Sequence, residues 1–168
     1  TGIWIGSLGG GSLGIFTPAT DTAGTYAYIV SGIAPCNPDT AYVTVNIYPT
    51  PNAGLDNIIT LCATGAIVNL FDSLNNNPNN TGSWNPILPG GNLGIFNPAT
   101  NSAGTYTYSV SATPSCPADS ADVTVNINAP PYAGISNTIT LCPTGSIVNL
   151  FDSLGGTPDG TGDWIPLL

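Results

Sequence analysis

The chain repeats its own sequence at an offset of 80 residues. Residues 1–50 match residues 81–130 at 28 of 50 positions, and residues 51–88 match residues 131–168 at 24 of 38. A period of this length is too long for one turn of a solenoid and is typical of one small domain per repeat. The repeat therefore predicts tandem copies of a single domain.

Proline pairs mark the predicted domain boundaries. Pro49 with Pro51, and Pro130 with Pro131, interrupt the strand-like alternation at the same place in successive repeats. Proline removes a donor from a β ladder and stiffens a linker. Three segments are predicted, namely the C-terminal part of one repeat at residues 1–50, a complete repeat at 51–130, and the N-terminal part of the next repeat at 131–168.

Alternating side chains predict that the repeat is built of β-strands. In residues 103–110 Tyr106, Tyr108 and Val110 fall on one face, and residues 23–30 repeat the pattern. A period of two is the signature of a half-buried strand, and no segment shows helical periodicity. The fold class is therefore predicted as all-β, with a small sandwich per repeat. Six strands are predicted in the complete repeat, at 57–62, 66–71, 82–87, 93–97, 104–112 and 121–128.

The composition excludes most enzyme chemistry. The chain has no Lys, Arg or His, and its nine acidic residues are all Asp. General acid–base and Schiff-base catalysis depend largely on the missing residue types, so an enzyme is not expected. Nucleic-acid binding is not expected either, because no cation is present to contact phosphate. Apolar residues make up 42% of the chain, which is enough to form a core, but they occur in strand-length runs, so no membrane span is predicted.

The four cysteines indicate an oxidising compartment and hence an extracellular or cell-surface location. Cys62 ends the first predicted strand and Cys116 precedes the last. Six strands of alternating direction bring both to the same end of the sandwich. A Cys62–Cys116 disulfide would close 54 residues and contribute roughly 4 kcal/mol, with Cys36 and Cys142 left to neighbouring repeats. The alternative pairs Cys36 with Cys62 and Cys116 with Cys142, which would link successive domains covalently.

Aromatic residues recur at equivalent positions and are predicted to form the structural core of each repeat. These residues are Trp4, Trp84, Trp164, Tyr26 and Tyr106. A second interpretation places Trp84 and Phe96 on an exposed face that stacks against sugars, as in a carbohydrate-binding module.

Taken together, the motifs resemble the Ig-like repeats of secreted and surface proteins of Bacteroidota, including gliding-motility adhesins exported by the type IX system. The resemblance implies tandem immunoglobulin-like β-sandwich domains, an extracellular location and a structural or adhesive role. It also implies that the first Tyr of the 103–110 strand closes a tyrosine corner. The motifs are found at residues 60–62, 68–74, 81–84, 94–99, 103–110 and 116–125.

A second resemblance concerns Asp followed by Ser or Thr and a small or aliphatic residue, the O-glycosylation motif of the same bacteria. Five of the nine Asp residues stand in such triplets. The implied glycosylation sites are Thr22, Thr40, Ser73, Ser120 and Ser153. Asn101 replaces the Asp in one repeat. Ordinary turn chemistry is the alternative explanation, because Asp and Ser both favour turns.

No metal site or cofactor is predicted. Two cysteines per repeat without His are too few ligands for zinc. Ca²⁺ is the one ion considered, because it prefers oxygen ligands, but the Asp residues lack an EF-hand or nonapeptide spacing. The candidates for it are Asp152 with Asp159 and Asp163, and Asp119 with Asp122.

The function predicted from these observations is structural. The chain is expected to be a segment of a long extracellular surface filament or adhesin stalk, built of disulfide-stabilised, O-glycosylated Ig-like repeats. Its expected partners are neighbouring repeats of the same protein, with lateral self-association. One alternative is a self-assembling fibre in which residues 131–168 of one chain pair with residues 1–50 of another by strand addition. The other alternative is the carbohydrate-binding module.

Overall fold

The computed structural model describes residues 2–6, 8–9 and 13–165. Within them regular structure is mostly β, and helix is confined to short 3₁₀ turns. The all-β class is therefore confirmed. The chain forms two compact units, the first of residues 1–52 with 111–119 and the second of residues 53–110 with 120–168.

The first unit contains a three-stranded antiparallel sheet. Its strands are β1 (Gly2–Ile5), β2 (Gly24–Val30) and β3 (Asp39–Val45), in the order β1-β2-β3. Trp4 lies opposite Tyr28 across β1 and β2, and Tyr26 lies opposite Val43 across β2 and β3. β3 forms one edge of this sheet.

The second unit contains most of the complete repeat, without residues 51–52 and 111–119. Its strands are β4 (Asn57–Cys62), β5 (Val68–Asn69), β6 (Ser83–Asn85), β7 (Ile95–Phe96), β8 (Gly104–Val110) and β9 (Asp119–Asn128). A four-stranded sheet has the order β4-β9-β8-β6, and β5 pairs with β7 in a separate two-stranded sheet. The first and last strands of the repeat, β4 and β9, are adjacent and parallel.

The core of the second unit combines aromatic and aliphatic side chains. Tyr108 packs against Trp84 and Phe71, with ring centroids 5.1 and 5.4 Å away, and Phe96 packs edge-on against Tyr106 at 5.3 Å. The alternation predicted for the last two strands is confirmed, because every second side chain is buried. The buried residues are Ala53, Leu70, Leu74, Trp84, Leu88, Phe96, Tyr106, Tyr108, Val110, Ala121, Val123 and Val125.

The strand predicted at 66–71 is wrong over its second half. Only Val68–Asn69 is extended, and a 3₁₀ turn occupies Leu70–Ser73. The turn begins at Leu70, which is fully buried, and the residue that follows the turn, Leu74, is buried as well. The sequence analysis therefore missed one helical turn.

Two other predicted strands are shorter than expected. The segment 82–87 is extended only over β6, which ends just before Pro86, and 93–97 only over β7. Between them Gly90 and Gly94 adopt left-handed backbone conformations around a 3₁₀ turn at Gly91–Leu93. The chain thus turns sharply where a longer strand was predicted.

The segment 131–165 adopts the turns of the repeat but none of its long strands. It has a 3₁₀ turn at Phe151–Ser153 and an isolated bridge between Ile135 and Gly155. Residues 137–142 match β4 at five of six positions, yet they are not a strand. A strand needs a partner, and no counterpart of β9 lies beside this segment in the described residues. No described helix exceeds four residues, so none is long enough to cross a membrane.

Candidate functional site

Tyr108 anchors the middle of the complete repeat through its hydroxyl as well as its ring. The hydroxyl donates a 2.7 Å hydrogen bond to the carbonyl oxygen of Asn79 and accepts one of 2.8 Å from the backbone N–H of Gly82. Gly82 is required at this position, because a Cβ atom there would lie 2.5 Å from the Tyr108 ring. The side chain therefore ties the loop before β6 to strand β8.

Tyr106 closes the turn that precedes β8. Its hydroxyl donates a 2.8 Å hydrogen bond to the carbonyl oxygen of Ser102, four residues earlier. In the first unit the hydroxyl of Tyr26 makes the equivalent bond to Thr22 at 2.5 Å. This backbone bond is the one expected from the tyrosine corner. Burial raises the pKa of Tyr106 and of Tyr108, and for Tyr108 the Gly82 hydrogen bond opposes part of that rise.

The three equivalent tryptophans lie in different environments. Trp84 is 4% exposed and donates from Nε1 to the carbonyl oxygen of Asn92 at 3.0 Å. Trp4 and Tyr26 are half-buried. Trp164 is 43% exposed, because the described chain brings no counterpart of Tyr108 against it. Trp84 and Tyr106 thus lie in the hydrophobic core of the complete repeat, and Trp164 is partly exposed.

The proposed sugar-stacking face is absent from the complete repeat. Trp84 is 4% exposed and Phe96 is fully buried. Both rings belong to the hydrophobic core, where Phe96 contacts Tyr106. An aromatic pair in this position has no face left for a sugar ring, so the interpretation of Trp84 and Phe96 as a binding platform is wrong.

The four cysteines are free thiols in the structure. The argument for a Cys62–Cys116 bridge assumed six strands of alternating direction, which would make the first and last strands antiparallel. Instead β4 runs parallel to β9, so Cys62 lies opposite Asn128 at the end of β9, whereas Cys116 precedes the first residue of that strand. The argument was wrong because the six strands do not alternate in direction along the chain. Cys36 and Cys142 are exposed.

Two of the thiols have neighbouring hydroxyl groups. Cys62 Sγ lies 3.2 Å from the hydroxyl of Thr64, and Cys142 Sγ lies 3.3 Å from that of Thr144. Hydrogen bonds from the Thr side chain, and then from its backbone, lower the pKa of each thiol. The contact between the Thr hydroxyl and the cysteine sulfur is a feature that sequence reasoning missed, although the T-L-C-x-T-G pattern is visible in both repeats.

The predicted glycosylation residues fall into two structural groups. Thr22, Thr40 and Ser120 are exposed. Ser73 and Ser153 are half-buried at the ends of 3₁₀ turns. The residues of the first group are therefore more exposed to solvent than those of the second.

The turns around these triplets also support the alternative explanation. The carboxylate of Asp21 accepts a 2.6 Å hydrogen bond from the N–H of Thr17. In the complete repeat the amide oxygen of Asn101 accepts the same bond from Asn97, at 2.8 Å. An amide and a carboxylate serve this turn equally well, so here the Asp has a structural role that does not require modification.

Other carboxylates are also used in backbone hydrogen bonds. Asp56 accepts a 2.8 Å bond from the N–H of Asp122, and Asp159 accepts one of 2.9 Å from the N–H of Tyr132. Among the described residues no three acidic or thiol side chains converge as a metal site would require. The Asp152, Asp159 and Asp163 group therefore does not form a ready calcium site.

The parallel pairing of β4 with β9 is the main structural feature that the sequence analysis missed. Six residue pairs run from Asn57 opposite Val123 to Cys62 opposite Asn128. The N–H of Ala63 extends the ladder with a 2.9 Å bond to the Asn128 carbonyl oxygen. The chain enters β4 from one proline-rich segment and leaves β9 into the next. The strands that connect successive repeats are therefore bonded directly to each other.

The comparisons with known proteins give no relative to set beside this geometry. No family model matches the chain, and no curated protein or solved structure matches it significantly.

Proposed function

We propose that the chain is a load-bearing segment of a long extracellular surface filament or adhesin stalk, built of tandem immunoglobulin-like repeats. The observation that carries the proposal is the parallel ladder between β4 and β9. The supporting observations are the 80-residue repeat in the sequence and the composition, which lacks the usual catalytic side chains.

The ladder is arranged to resist tension along the chain. Tension from the preceding repeat acts on the start of β4, and tension from the following repeat acts on the end of β9. Because the two strands are parallel, these forces slide them past each other and load all six paired positions at once. A ladder that opens from one end would instead lose its hydrogen bonds one at a time.

The composition is consistent with an exposed extracellular stalk. The chain contains no Lys or Arg, so trypsin-like proteases have no cleavage site. The proline-rich segments on either side of the complete repeat limit bending between successive domains. These properties are typical of a spacer, so we expect ligand recognition to lie in other parts of the assembly.

Single-molecule stretching of the chain through its two ends tests the proposal. We expect one force peak when the 72 residues from Asn57 to Asn128 unravel. The contour length should then increase by roughly 230 Å, from about 3.5 Å per extended residue less the length of the folded ladder. Gradual extension without a peak would contradict a load-bearing role.

A pair of proline variants isolates the ladder. The N–H of Ala63 donates to the carbonyl oxygen of Asn128 at the end of β9, whereas the N–H of Ile58 donates to the Asn57 side chain. Because successive N–H groups of a strand point to opposite sides, the odd-numbered residues of β4 point theirs toward β9. Leu61→Pro should therefore lower the rupture force, whereas Thr60→Pro, whose lost N–H faces away, should retain most of it. Equal forces in both variants would show that the ladder does not bear the load.

Location is tested separately, on intact cells of the native source. An antibody against the complete repeat should label unpermeabilised cells, and chymotrypsin added outside should release fragments that trypsin does not. Labelling only after permeabilisation would exclude a surface stalk, whatever the mechanical result.

A further inference from the structure

The chain that leads into β4 is held against a loop of the same repeat. Leu55 forms an isolated antiparallel bridge with Asn75. The side chain of Asn57 donates a 2.8 Å hydrogen bond to the carbonyl oxygen of Ser73. These contacts dock the start of the repeat on the loop that follows the first 3₁₀ turn, and we call them the entry latch. The entry latch lies within residues 54–57 and 73–75.

The same contacts recur 80 residues later. Ile135 and Gly155 exchange two backbone hydrogen bonds of 2.8 and 2.9 Å. The side chain of Asn137 donates a 2.9 Å hydrogen bond to the carbonyl oxygen of Ser153. The chain therefore contains a second entry latch, which lies within residues 134–137 and 153–155.

A glycine brings the two backbones of each latch together. Gly54 has a φ of 95° and Gly134 a φ of 92°. A Cβ on Gly54 would lie 2.7 Å from the carbonyl oxygen of Asn75, and one on Gly134 would lie 2.9 Å from that of Gly155. Both distances are shorter than a normal contact, and both φ values favour glycine. Another residue at either position would therefore push the entering chain away from the loop.

The second latch begins within the proline-rich connection. The N–H of Tyr132 donates a 2.9 Å hydrogen bond to the carboxylate of Asp159, whose own N–H donates one of 2.8 Å to the Tyr132 carbonyl oxygen. The preceding strand, β9, ends at Asn128. Between that strand and the first held residue stand residues 129–131, which are an alanine and two prolines.

The latch forms without a strand after it, and its contacts lie at the surface. Residues 137–142 are not extended, yet the bonds of the second latch are intact. Leu55 is 55% exposed and Ile135 is 59% exposed, whereas Val123 and Val125 of the ladder strand β9 are buried. Surface contacts that bury little apolar area open at a lower free energy than core strands do.

We propose that each entry latch opens and closes as a separate unit while the β4–β9 ladder stays intact, and that it thereby sets the length of the connection between successive repeats. With the second latch closed, the connection is residues 129–131. With the latch open it extends to residue 136, which adds roughly 17 Å of extended chain. Reversible lengthening lets successive repeats reorient while each stays folded. The latch is a property of the free chain and does not require that the chain bear a load.

Amide hydrogen exchange of the whole chain, followed by NMR, tests this proposal. The latch amides are those of Leu55 and Asn75, and the ladder amide is that of Ala63, which bonds to the Asn128 carbonyl oxygen. The latch amides should exchange more slowly than in an unstructured peptide but on the order of 100-fold faster than the ladder amide. Low concentrations of urea should accelerate the ladder amide alone. Equal rates with the same urea dependence would overturn the proposal.

Gly94→Ala separates the latch from the core. It places a Cβ 2.4 Å from Nε1 of Trp84, far along the chain from the latch. The ladder amide should exchange on the order of 100-fold faster in this variant, and the latch amides should be unchanged. If the variant does not fold, Tyr106→Phe gives the same test with an acceleration of about fivefold. Equal acceleration of the latch and ladder amides would overturn the proposal.

Gly54→Ala is the matched change inside the latch. Like Gly94, Gly54 has a positive φ and a neighbour too close for a Cβ, which here is the carbonyl oxygen of Asn75. The latch amides should reach the exchange rate of an unstructured peptide, because the loop can no longer hold the entering chain. Latch amides that keep the exchange rate of the unchanged chain would overturn the proposal.

Two variants of Asp159 test where the second latch begins. Asp159→Ala removes the acceptor of the Tyr132 N–H, whereas Asp159→Asn keeps an oxygen there, as Asn79 does at the equivalent position of the complete repeat. Exchange of the Tyr132 amide should rise about tenfold in Asp159→Ala and change little in Asp159→Asn. If Asp159→Ala leaves the exchange of Tyr132 unchanged, the carboxylate does not hold this residue, and the proposed length of the closed connection is wrong.

Discussion

The rings of Tyr108 and Phe71 meet edge to face, with centroids 5.4 Å apart and planes inclined at 73°. Phe71 lies in the first half of the repeat and Tyr108 in the second, so this contact joins the two halves of the core. The Tyr108 hydroxyl adds a donor and an acceptor contact to the loop before β6. The side chain therefore combines packing with hydrogen bonding at one point.

Removing the Tyr108 hydroxyl should destabilise the repeat more than removing that of Tyr106. Tyr108→Phe keeps the ring but removes the hydrogen bond to the Asn79 carbonyl oxygen and the one from the Gly82 N–H. The expected loss is about 2 kcal/mol in the free energy of unfolding. Tyr106→Phe breaks one bond, to Ser102, and should cost about 1 kcal/mol. Urea unfolding of the two variants checks the order, and equal losses would contradict it.

Alkaline pH should unfold the repeat through the same two tyrosines. Burial raises the pKa of Tyr106 and Tyr108 in the folded chain above the ordinary value of 10.0. The folded state then holds its protons more tightly than the unfolded state. Their contribution to stability is therefore complete below pH 10 and is lost as the pH rises from there through the folded pKa values. Urea midpoints measured from about pH 8 to about pH 11 should fall above pH 10.

The Tyr106→Phe, Tyr108→Phe double variant serves as the comparison for that series. It is less stable at neutral pH but has neither of the titrating hydroxyl groups. Its midpoint should decline less steeply above pH 10. If its urea midpoint declines as steeply as that of the unchanged chain, groups other than these two tyrosines cause the loss of stability at high pH.

Gly94 should tolerate a side chain much less well than Gly91. Both residues have a φ of 60°, but a Cβ at Gly94 would lie 2.4 Å from Nε1 of Trp84, whereas a Cβ at Gly91 meets nothing within 4 Å. Gly91→Ala should cost only the left-handed backbone strain, about 1 kcal/mol. Gly94→Ala should cost about 2 kcal/mol more, because the indole must move. Thermal or urea unfolding of the pair measures the difference, and equal costs would show that the indole has room to move.

The parts of the fold that were predicted correctly depend on local alternation. In β8 and β9 every second residue is apolar, and both strands form where the pattern places them. Leu70–Ser73 forms a single 3₁₀ turn, which is too short to produce a recognisable periodic pattern within a strand-like sequence. Local pattern is therefore informative only over segments longer than about one turn of helix.

The parts that were predicted wrongly depend on contacts between distant segments. Nothing in the sequence of β4 indicates that its neighbour is β9 or that the pairing is parallel. The disulfide argument assumed that the strands alternate in direction, and the parallel pairing of β4 with β9 shows that they do not. The exposure of Trp164 could not be read from its sequence either, because it is set by the absence of a partner strand in the described chain.

Cys62 should be alkylated at lower pH than an ordinary thiol. Its pKa is lowered by hydrogen bonds from the side chain and the backbone of Thr64, which favour the thiolate, the reactive form. Thr64→Val removes the larger of these contributions, and the pH profile of Cys62 should move upward. Cys142 has its own neighbour in Thr144 and should be unchanged, which makes it an internal control. Iodoacetamide labelling followed by peptide mass analysis reports both thiols in one experiment, and a Cys62 profile that does not move would contradict the role of Thr64.

If the protein carries O-glycans in its native source, exposure should decide which triplets are occupied. Thr22, Thr40 and Ser120 are open to solvent, so a transferase acting on the folded chain can reach them. Ser73 and Ser153 are half-buried, and their turns are fixed by 2.8 and 2.9 Å bonds from the side chains of Asn57 and Asn137 to the Ser carbonyl oxygens.

We therefore expect sugar on the first three residues and little on the other two. Trypsin has no site in the chain, so the peptides must come from cleavage at Asp, with the intact mass measured first. The matched comparison is Asp39→Asn against Asp72→Asn: the first should remove sugar from Thr40, and the second should leave the intact mass changed only by the substitution. Sugar at Ser73 with none at Thr40 would contradict the exposure argument. An intact mass equal to that of the polypeptide would leave turn formation as the role of the triplets, as the equivalent bonds of Asp21 and Asn101 already illustrate.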